Sequence, residues 1–277
     1  MIESFLASWP LFHDTYVAGV AIAFVLALLG VWVVARDQIF LGAAVSQAST
    51  LGIAALLWLE GVGVVSATSW LGSEAAAGVC AVAASVTTAL WVVPPGRAGG
   101  EARTAWVFLL AVSVPVLLLA HSPHGLEEVH RLMFSTLLGA TSLDVALFAT
   151  LALATAVAVF AGSAPLRLFA SDAEMAAAVG LPTARLGLVV ASWLGVAIGL
   201  SIHVSGLIYT FGCLVLPAIA ARNLCREMRA MLWVAPLLAV ATAGVAVVVA
   251  NAWDVPPAHA TVAGLCGVVA LSWLRRS

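Results

Sequence analysis

The sequence contains no lysine; all 11 of its basic residues are arginine. That absence excludes a P-loop, whose G-x-x-x-x-G-K-[ST] pattern needs a lysine to reach the phosphates. It also excludes Schiff-base chemistry on a lysine amine. Charge is scarce altogether, at 9% of residues against 64% hydrophobic, with a mean hydropathy of +1.14. A soluble domain carries roughly 25% charged residues. A soluble enzyme, a disordered chain and a nucleic-acid binder are therefore excluded together. Cysteine is sparse as well: Cys80, Cys213, Cys225 and Cys266 show no C-x-x-C spacing and suggest no disulfide framework. The first fifteen residues hold Glu3 and Asp14 but no basic residue, unlike a cleaved signal peptide, so the first apolar run is expected to remain as a span. The exclusions leave an all-α polytopic membrane protein.

A membrane-crossing helix needs about 20 mostly apolar residues. Runs that qualify lie at 16–35, 43–59, 75–93, 104–120, 144–162, 186–203, 206–221, 231–250 and 257–274. Helices rather than a barrel follow from runs too apolar to alternate, because a lipid-embedded backbone must satisfy its own hydrogen bonds. Nine spans leave short loops and a single membrane domain over 1–277, with no internal repeat. With the N-terminus outside, ten of the eleven arginines fall inside and Arg131 alone falls outside, which the positive-inside rule favours. Segment 186–221 reads as a hairpin of two spans turning near His203-Val204-Ser205-Gly206. An even count of eight would require one broken or re-entrant element there.

The inside loop at 163–186 carries its own start and stop signals. Ser171-Asp172-Ala173-Glu174 fits a capping box, with Ser171 as N-cap and Glu174 reaching back to its amide. Gly180 supplies the stop, and Pro182 follows two residues later. The pattern predicts a helix of about two turns near 171–182, whose first turn a proline at Glu174 would break. Such a helix is either an ordinary connector or a coupling element that docks on a separate ATPase.

Three segments together resemble a known family: ARDQIFLGAAVSQASTLGIA at 35–54, SDAEMAAAVGLPTARL at 171–186 and SGLIYTFGCLVLPAIAAR at 205–222. They are similar to the permease subunits of zinc/manganese/iron-type metal ABC importers, whose fold is similar to that of cobalamin-type importer permeases. The stretch MFSTLLGATSLDV at 133–145 resembles that family's external segment before its fifth span. The resemblance implies a homodimeric permease in the plasma (inner) membrane, importing a divalent metal ion such as zinc, manganese or iron, or a metal complex. It implies an ABC ATPase subunit inside, which binds the ATP, and an extracytoplasmic substrate-binding protein outside. No cofactor is expected in this chain, no enzymatic activity and no nucleic-acid partner. The helix near 171–182, with Ser171, Glu174, Gly180 and Pro182, becomes the ATPase-coupling element.

The residue carry-over departs from the family where the second span begins. The family pattern is Gly-Asp-x-x-x-His, placing a carboxylate and an imidazole on one helix face. Here Gly42 matches, but the Asp position is Ala43 and the His position is Gln47. The face formed by Ala43, Ser46, Gln47 and Thr50 is small, hydrogen-bonding and uncharged. It either holds helices together or contacts substrate along the path. His203 is either an interfacial histidine or a path ligand. His121, His124 and His130, with Glu127 and Glu128, make a metal-capable external cluster by composition, or simply solvate a loop. Two other readings stay open: an ion-coupled secondary transporter, which would need ionisable groups in the spans, and an ABC permease for a neutral or chelated substrate. A non-transporting interaction protein fits the family segments poorly.

Overall fold

A computed structural model describes residues 2–64, 74–92, 100–120, 127 and 137–275. Among the described residues ten α-helices have defined bounds: α1 Ile2–Ala35, α2 Ile39–Gly61, α3 Glu74–Val92, α4 Gly100–Leu119, α5 Ser142–Ala161, α6 Ser163–Ser171, α7 Ala173–Ala178, α8 Thr183–Leu224, α9 Met228–Trp253 and α10 Pro257–Leu274. A single 3₁₀ turn at Leu137–Gly139 precedes α5. All but α6 and α7 are long and apolar enough to cross a membrane, making eight such helices among the described residues. Seven of the nine sequence-predicted spans each coincide with one of them to within a few residues, except that α1 begins well before residue 16, and the other two both fall within α8.

The predicted hairpin at 186–221 takes a different form. No loop separates its two spans. Helix α8 runs to Leu224 and is interrupted at a single residue, Gly206, with φ 76° and ψ 173°. The sequence Ser205-Gly206 was read as a turn, but a glycine's freedom at positive φ lets the chain redirect in one residue. The two stretches of α8, 183–207 and 208–224, belong to different compact units.

The first unit comprises 1–39, 136–181 and 208–277. Its centre is α1, whose side chains from Ile22 to Val34 are nearly all buried. A helix apolar around its whole circumference is one enclosed by protein, and α1 packs along both α5 and α9, while α9 packs on α10. The second half of α8 runs parallel to α1. The Tyr209 hydroxyl donates to the Gly19 carbonyl at 2.8 Å. A Cβ on Gly30 would meet the Leu214 carbonyl, and Arg222 reaches the Val34 carbonyl at 3.1 Å. Thr141 starts α5 through a capping box with Asp144, whose carboxylate accepts from the Thr141 amide at 2.8 Å.

The second unit comprises 40–135 and 182–207. Here α3 lies between α2 and the first half of α8. The Ser49 hydroxyl of α2 donates to the Ala81 carbonyl of α3 at 3.1 Å. On its other side α3 runs antiparallel to 183–205. A Cβ on Gly195 would stand 2.6 Å from Val86 Cα, and one on Gly199 would stand 2.6 Å from both Val82 Cα and Ser85 Oγ. Phe40 and Phe108, with ring centroids 4.9 Å apart, bring α2 to α4. Within its own unit, the first half of α8 is antiparallel to α3 and the second half parallel to α1.

Candidate functional site

The face expected to line a path lies on α2. Ser46, Gln47 and Thr50 are buried, and Ala43 one turn earlier is half-buried. The Thr50 hydroxyl donates back to the Ser46 carbonyl at 3.4 Å, the local bond a helical threonine makes in an apolar setting. The Ser46 hydroxyl is different. It is fully buried and makes no hydrogen bond among the described residues. A buried hydroxyl left without a partner costs about 1–3 kcal/mol, so this one carries unused bonding capacity. Ser201, on the first half of α8, is in the same state. Sequence reasoning had not singled out Ser201; its helical context gives no signal that its hydroxyl stays unused.

His203 follows Ser201 by two residues and is half-buried. Its ring Cδ2 lies 3.8 Å from where a Cβ on Gly78 would stand. Gly195, Gly199 and His203 therefore form a four-residue repeat along one helix face, set against Val86, Val82 and Gly78 of α3. The Ser85 hydroxyl donates to the Gly195 carbonyl at 2.6 Å and to that of Val82 at 2.9 Å. Small residues at this spacing let helix backbones approach closely in a membrane. The Gly-x-x-x-Gly of 195–199 is the sequence signal of this packing, set inside an apolar run.

No group of three or more His, Cys, Asp or Glu side chains converges among the described residues. His121, His124 and His130 lie outside the described residues, as does Glu128.

The expected coupling helix exists, with a corrected start. Its N-cap is Asp172, not Ser171: the Asp172 carboxylate accepts from the Met175 amide at 2.8 Å. Ser171 is the last residue of α6, and its hydroxyl donates to the Arg167 carbonyl at 2.9 Å. Both Ser and Asp are good caps. Asp172 takes the role because α6 carries helical geometry through Ser171. Glu174 then falls one place too early to close a capping box. The stop is as expected. Gly180, at φ 83°, donates to the Ala177 carbonyl and the Leu181 amide to that of Ala176, both at 3.0 Å. That pair of bonds is a Schellman motif. Pro182 follows directly and α8 begins at Thr183.

Upstream, α6 docks on the end of α1. Phe169 is fully buried, its ring 6.3 Å from that of Trp32, and the Arg36 guanidinium lies over it at 4.5 Å. Burial lowers the Arg36 pKa from its ordinary value.

The sequence profile of the ABC 3 transport family matches residues 8–276. The chain belongs to that family. It is a multi-pass plasma-membrane protein and the permease of an ABC transporter. No curated protein matches it significantly. Among solved structures it is similar to PsaBC from Streptococcus pneumoniae in complex with Fab, at 14% identity and a TM-score of 0.78, covering 99% of this chain and 95% of that one. It is also similar to a metal-chelate type ABC transporter in an inward-facing conformation, at 15% identity and a TM-score of 0.74, covering 95% and 85%. At these identities the two likenesses establish the fold of this family member, and both extend over nearly its whole length.

Proposed function

We propose that this permease imports a divalent metal ion, zinc, manganese or iron, or a complex of one, as a homodimer forming one membrane domain per chain. The observation that carries the reading is the family match over 8–276, joined by the fold shared with a transporter described as metal-chelate type. An ATPase subunit supplies the drive. The lysine-free sequence has no P-loop of its own, and the chain is read as a transport subunit rather than an enzyme, with no cofactor of its own and no nucleic-acid partner. A substrate-binding protein delivers the ion on the face opposite α7. In this scheme α7, with Asp172, Glu174, Gly180 and Pro182 around it, docks on the ATPase. The path passes the α2 face at Ala43, Ser46, Gln47 and Thr50 and the neighbourhood of His203, and the external histidines His121, His124 and His130 receive the ion.

A second reading is favoured by a specific observation. The α2 face is uncharged, and Ser46 and Ser201 hold buried, unused hydroxyls. Hydrogen-bonding groups without charge suit a neutral or chelated metal species better than a bare ion. The test reconstitutes permease, ATPase and binding protein in liposomes and measures uptake of zinc, manganese and iron, free and chelated. ATP-dependent accumulation of one of them is expected. Uptake that persists with a hydrolysis-dead ATPase would overturn the ABC reading in favour of an ion-coupled carrier.

A further inference from the structure

Trp32 lies in the last turn of α1 and Arg36 directly follows that helix. The Arg36 amide donates to the Trp32 carbonyl at 3.2 Å, so helical spacing is kept and the two side chains share one face. Both lie against one ring of α6. The Phe169 ring centroid is 6.3 Å from that of Trp32, and the Arg36 guanidinium lies over it at 4.5 Å. All three residues belong to the first unit. The two α1 side chains are donors only: an indole offers one N–H, a guanidinium five. Trp32 is 5% exposed, and its Nε1 is enclosed and meets no acceptor among the described residues. Arg36 is half-buried, and its guanidinium makes no hydrogen bond or ion pair among the described residues. The two aspartates nearest in sequence to Arg36 and to Phe169 are engaged elsewhere. Asp37 is held by Arg222 at 2.7 Å, and Asp172 caps α7 through the Met175 amide at 2.8 Å. Burial lowers the Arg36 pKa, as for a cation that loses water without gaining a counter-charge.

Two donors without acceptors on one face, one of them a cation, call for an oxyanion. A guanidinium stacks on an aromatic ring and still presents its fork to phosphate oxygens. Location selects the source of that oxyanion. The arginine distribution assigns this end of α1 to the cytosolic surface. Helix α6 follows α5 after Gly162 and touches α1, α5 and α9. Beside it, Phe160 at the end of α5 stacks on Trp233 of α9 at 4.5 Å, and Trp233 is 61% exposed. An exposed indole near the end of a span marks the headgroup level. The oxyanion concentrated at that level is the phospholipid phosphate, and the anionic lipids of the cytosolic leaflet attract basic residues close to the membrane.

We propose that Arg36 and Trp32, walled by Phe169, bind the phosphate of an anionic phospholipid of the cytosolic leaflet. Arg36 takes the phosphate at the exposed side and supplies the opposite charge. Trp32 donates its Nε1–H from the deeper side. The bound headgroup ties α6 to the end of α1. Lipid binding here is independent of which species is transported and of where the ATPase docks.

The test uses the full-length permease, delipidated in a neutral detergent. Its thermal midpoint is followed against added short-chain phosphatidylglycerol, short-chain phosphatidylcholine or inorganic phosphate. A saturable rise with phosphatidylglycerol and none with the other two is expected. A midpoint that phosphatidylglycerol leaves unchanged would overturn the site. An equal rise with phosphatidylcholine or with inorganic phosphate would overturn its assignment to an anionic lipid. Arg36→Gln should raise the half-saturating phosphatidylglycerol concentration about tenfold, the loss of one charge-assisted bond. Trp32→Phe keeps an aromatic ring and removes the N–H, and should raise it about threefold. Arg185→Gln, at an exposed arginine near the start of α8, is the control and should leave it unchanged. Equal changes in Arg36→Gln and Arg185→Gln would show attraction to surface charge in general and overturn the site. A half-saturating concentration unaltered in Trp32→Phe would overturn the pairing with Arg36, and that titration still decides if Arg36→Gln fails to insert.

Discussion

The Arg222 guanidinium joins two ends of one unit: it donates to the Val34 carbonyl at 3.1 Å and to the Asp37 carboxylate at 2.7 Å. Val34 lies in the last turn of α1, where carbonyls lack intrahelical partners. Its oxygen also accepts from the Asp37 amide at 3.2 Å. Arg222 stands at the end of the Leu216-Pro217-Ala218 to Ala221-Arg222 stretch that carried the family resemblance. Its position there has a structural reason: it binds the end of α8 to the end of α1.

The two bonds are not equal, and stability measurements should separate them. The Asp37 side chain is 82% exposed, and exposed ion pairs contribute about 0–1 kcal/mol. Asp37→Asn should therefore leave the thermal midpoint in detergent almost unchanged, since asparagine also tolerates the left-handed backbone there. Arg222→Met removes a charge-assisted bond to a helix end as well, a loss of about 1.5–3 kcal/mol. Equal midpoints for the two variants would show that the Val34 bond contributes nothing.

The Gly195–Gly199 face should be intolerant in proportion to side-chain size. Gly199→Ala already puts a methyl 2.6 Å from Val82 Cα and Ser85 Oγ, and Gly199→Leu should prevent the α3 pair from forming, read as loss of monodisperse protein after extraction. Ser85→Ala should cost about 0.6 kcal/mol, the average for interhelical bonds in membranes. Gly244→Ala is the control, because a Cβ there meets nothing and alanine is the better helix former. Comparable losses at Gly199 and Gly244 would refute close packing at this face.

The cap of α7 makes a sharp distinction between neighbours. Asp172→Ala should destabilise this helix by about 1 kcal/mol, whereas Ser171→Ala should not, its hydroxyl bonding only back along α6 and to Met228. The proline expected to break the helix at Glu174 now falls in the first turn, where proline is tolerated. Ala177→Pro is the disruptive variant, because the ring meets the carbonyl of Ala173. ATP hydrolysis uncoupled from transport in Ala177→Pro, with Glu174→Pro near wild type, is the expected result.

These corrections mark what the sequence could convey. Spans were legible because about 20 apolar residues in a row admit few other readings, and the Gly180 stop was legible because few residues other than glycine close a Schellman motif readily. Ser171 and Asp172 are both competent caps, and only the extent of α6 decides between them. That helix is short and amphipathic, and its dependence on Trp32 and Arg36 is a tertiary fact. The redirection at Gly206 was visible as a glycine between two spans, but not that one residue would suffice. The idle hydroxyls of Ser46 and Ser201 are invisible to any pattern, since a serine in a helix ordinarily bonds to its own preceding turn.

Orientation follows from the arginines and can be tested without transport. Reporter fusions after Arg97 and after Arg276 should both read cytosolic, and a fusion after Glu127 should read external. A cytosolic signal after Glu127 would invert the assignment of α7 to the ATPase side and remove the docking proposal with it.

The α2 face offers the most direct test of substrate. Ala43 and Gln47 are one turn apart, half-buried and buried respectively, so aspartate and histidine at these positions would share one face. A carboxylate brought into this apolar helix face without a partner is costly, and Ala43→Asp alone should lower the thermal midpoint. In the double variant Ala43→Asp, Gln47→His, zinc or manganese bound by the new pair should offset that loss, because binding to the folded state stabilises it by mass action. A midpoint that rises with added metal in the double variant, and not in the wild type, would establish that an ion reaches this face. Uptake of the free ion should then be retained or increased. If the double variant inserts, shows no metal-dependent stabilisation and carries neither ion, free metal does not pass Ala43 and Gln47. The uncharged face with Ser46 and Thr50 would then be assigned to a neutral or chelated species, whose hydrogen-bonding groups the Ser46 hydroxyl is free to meet.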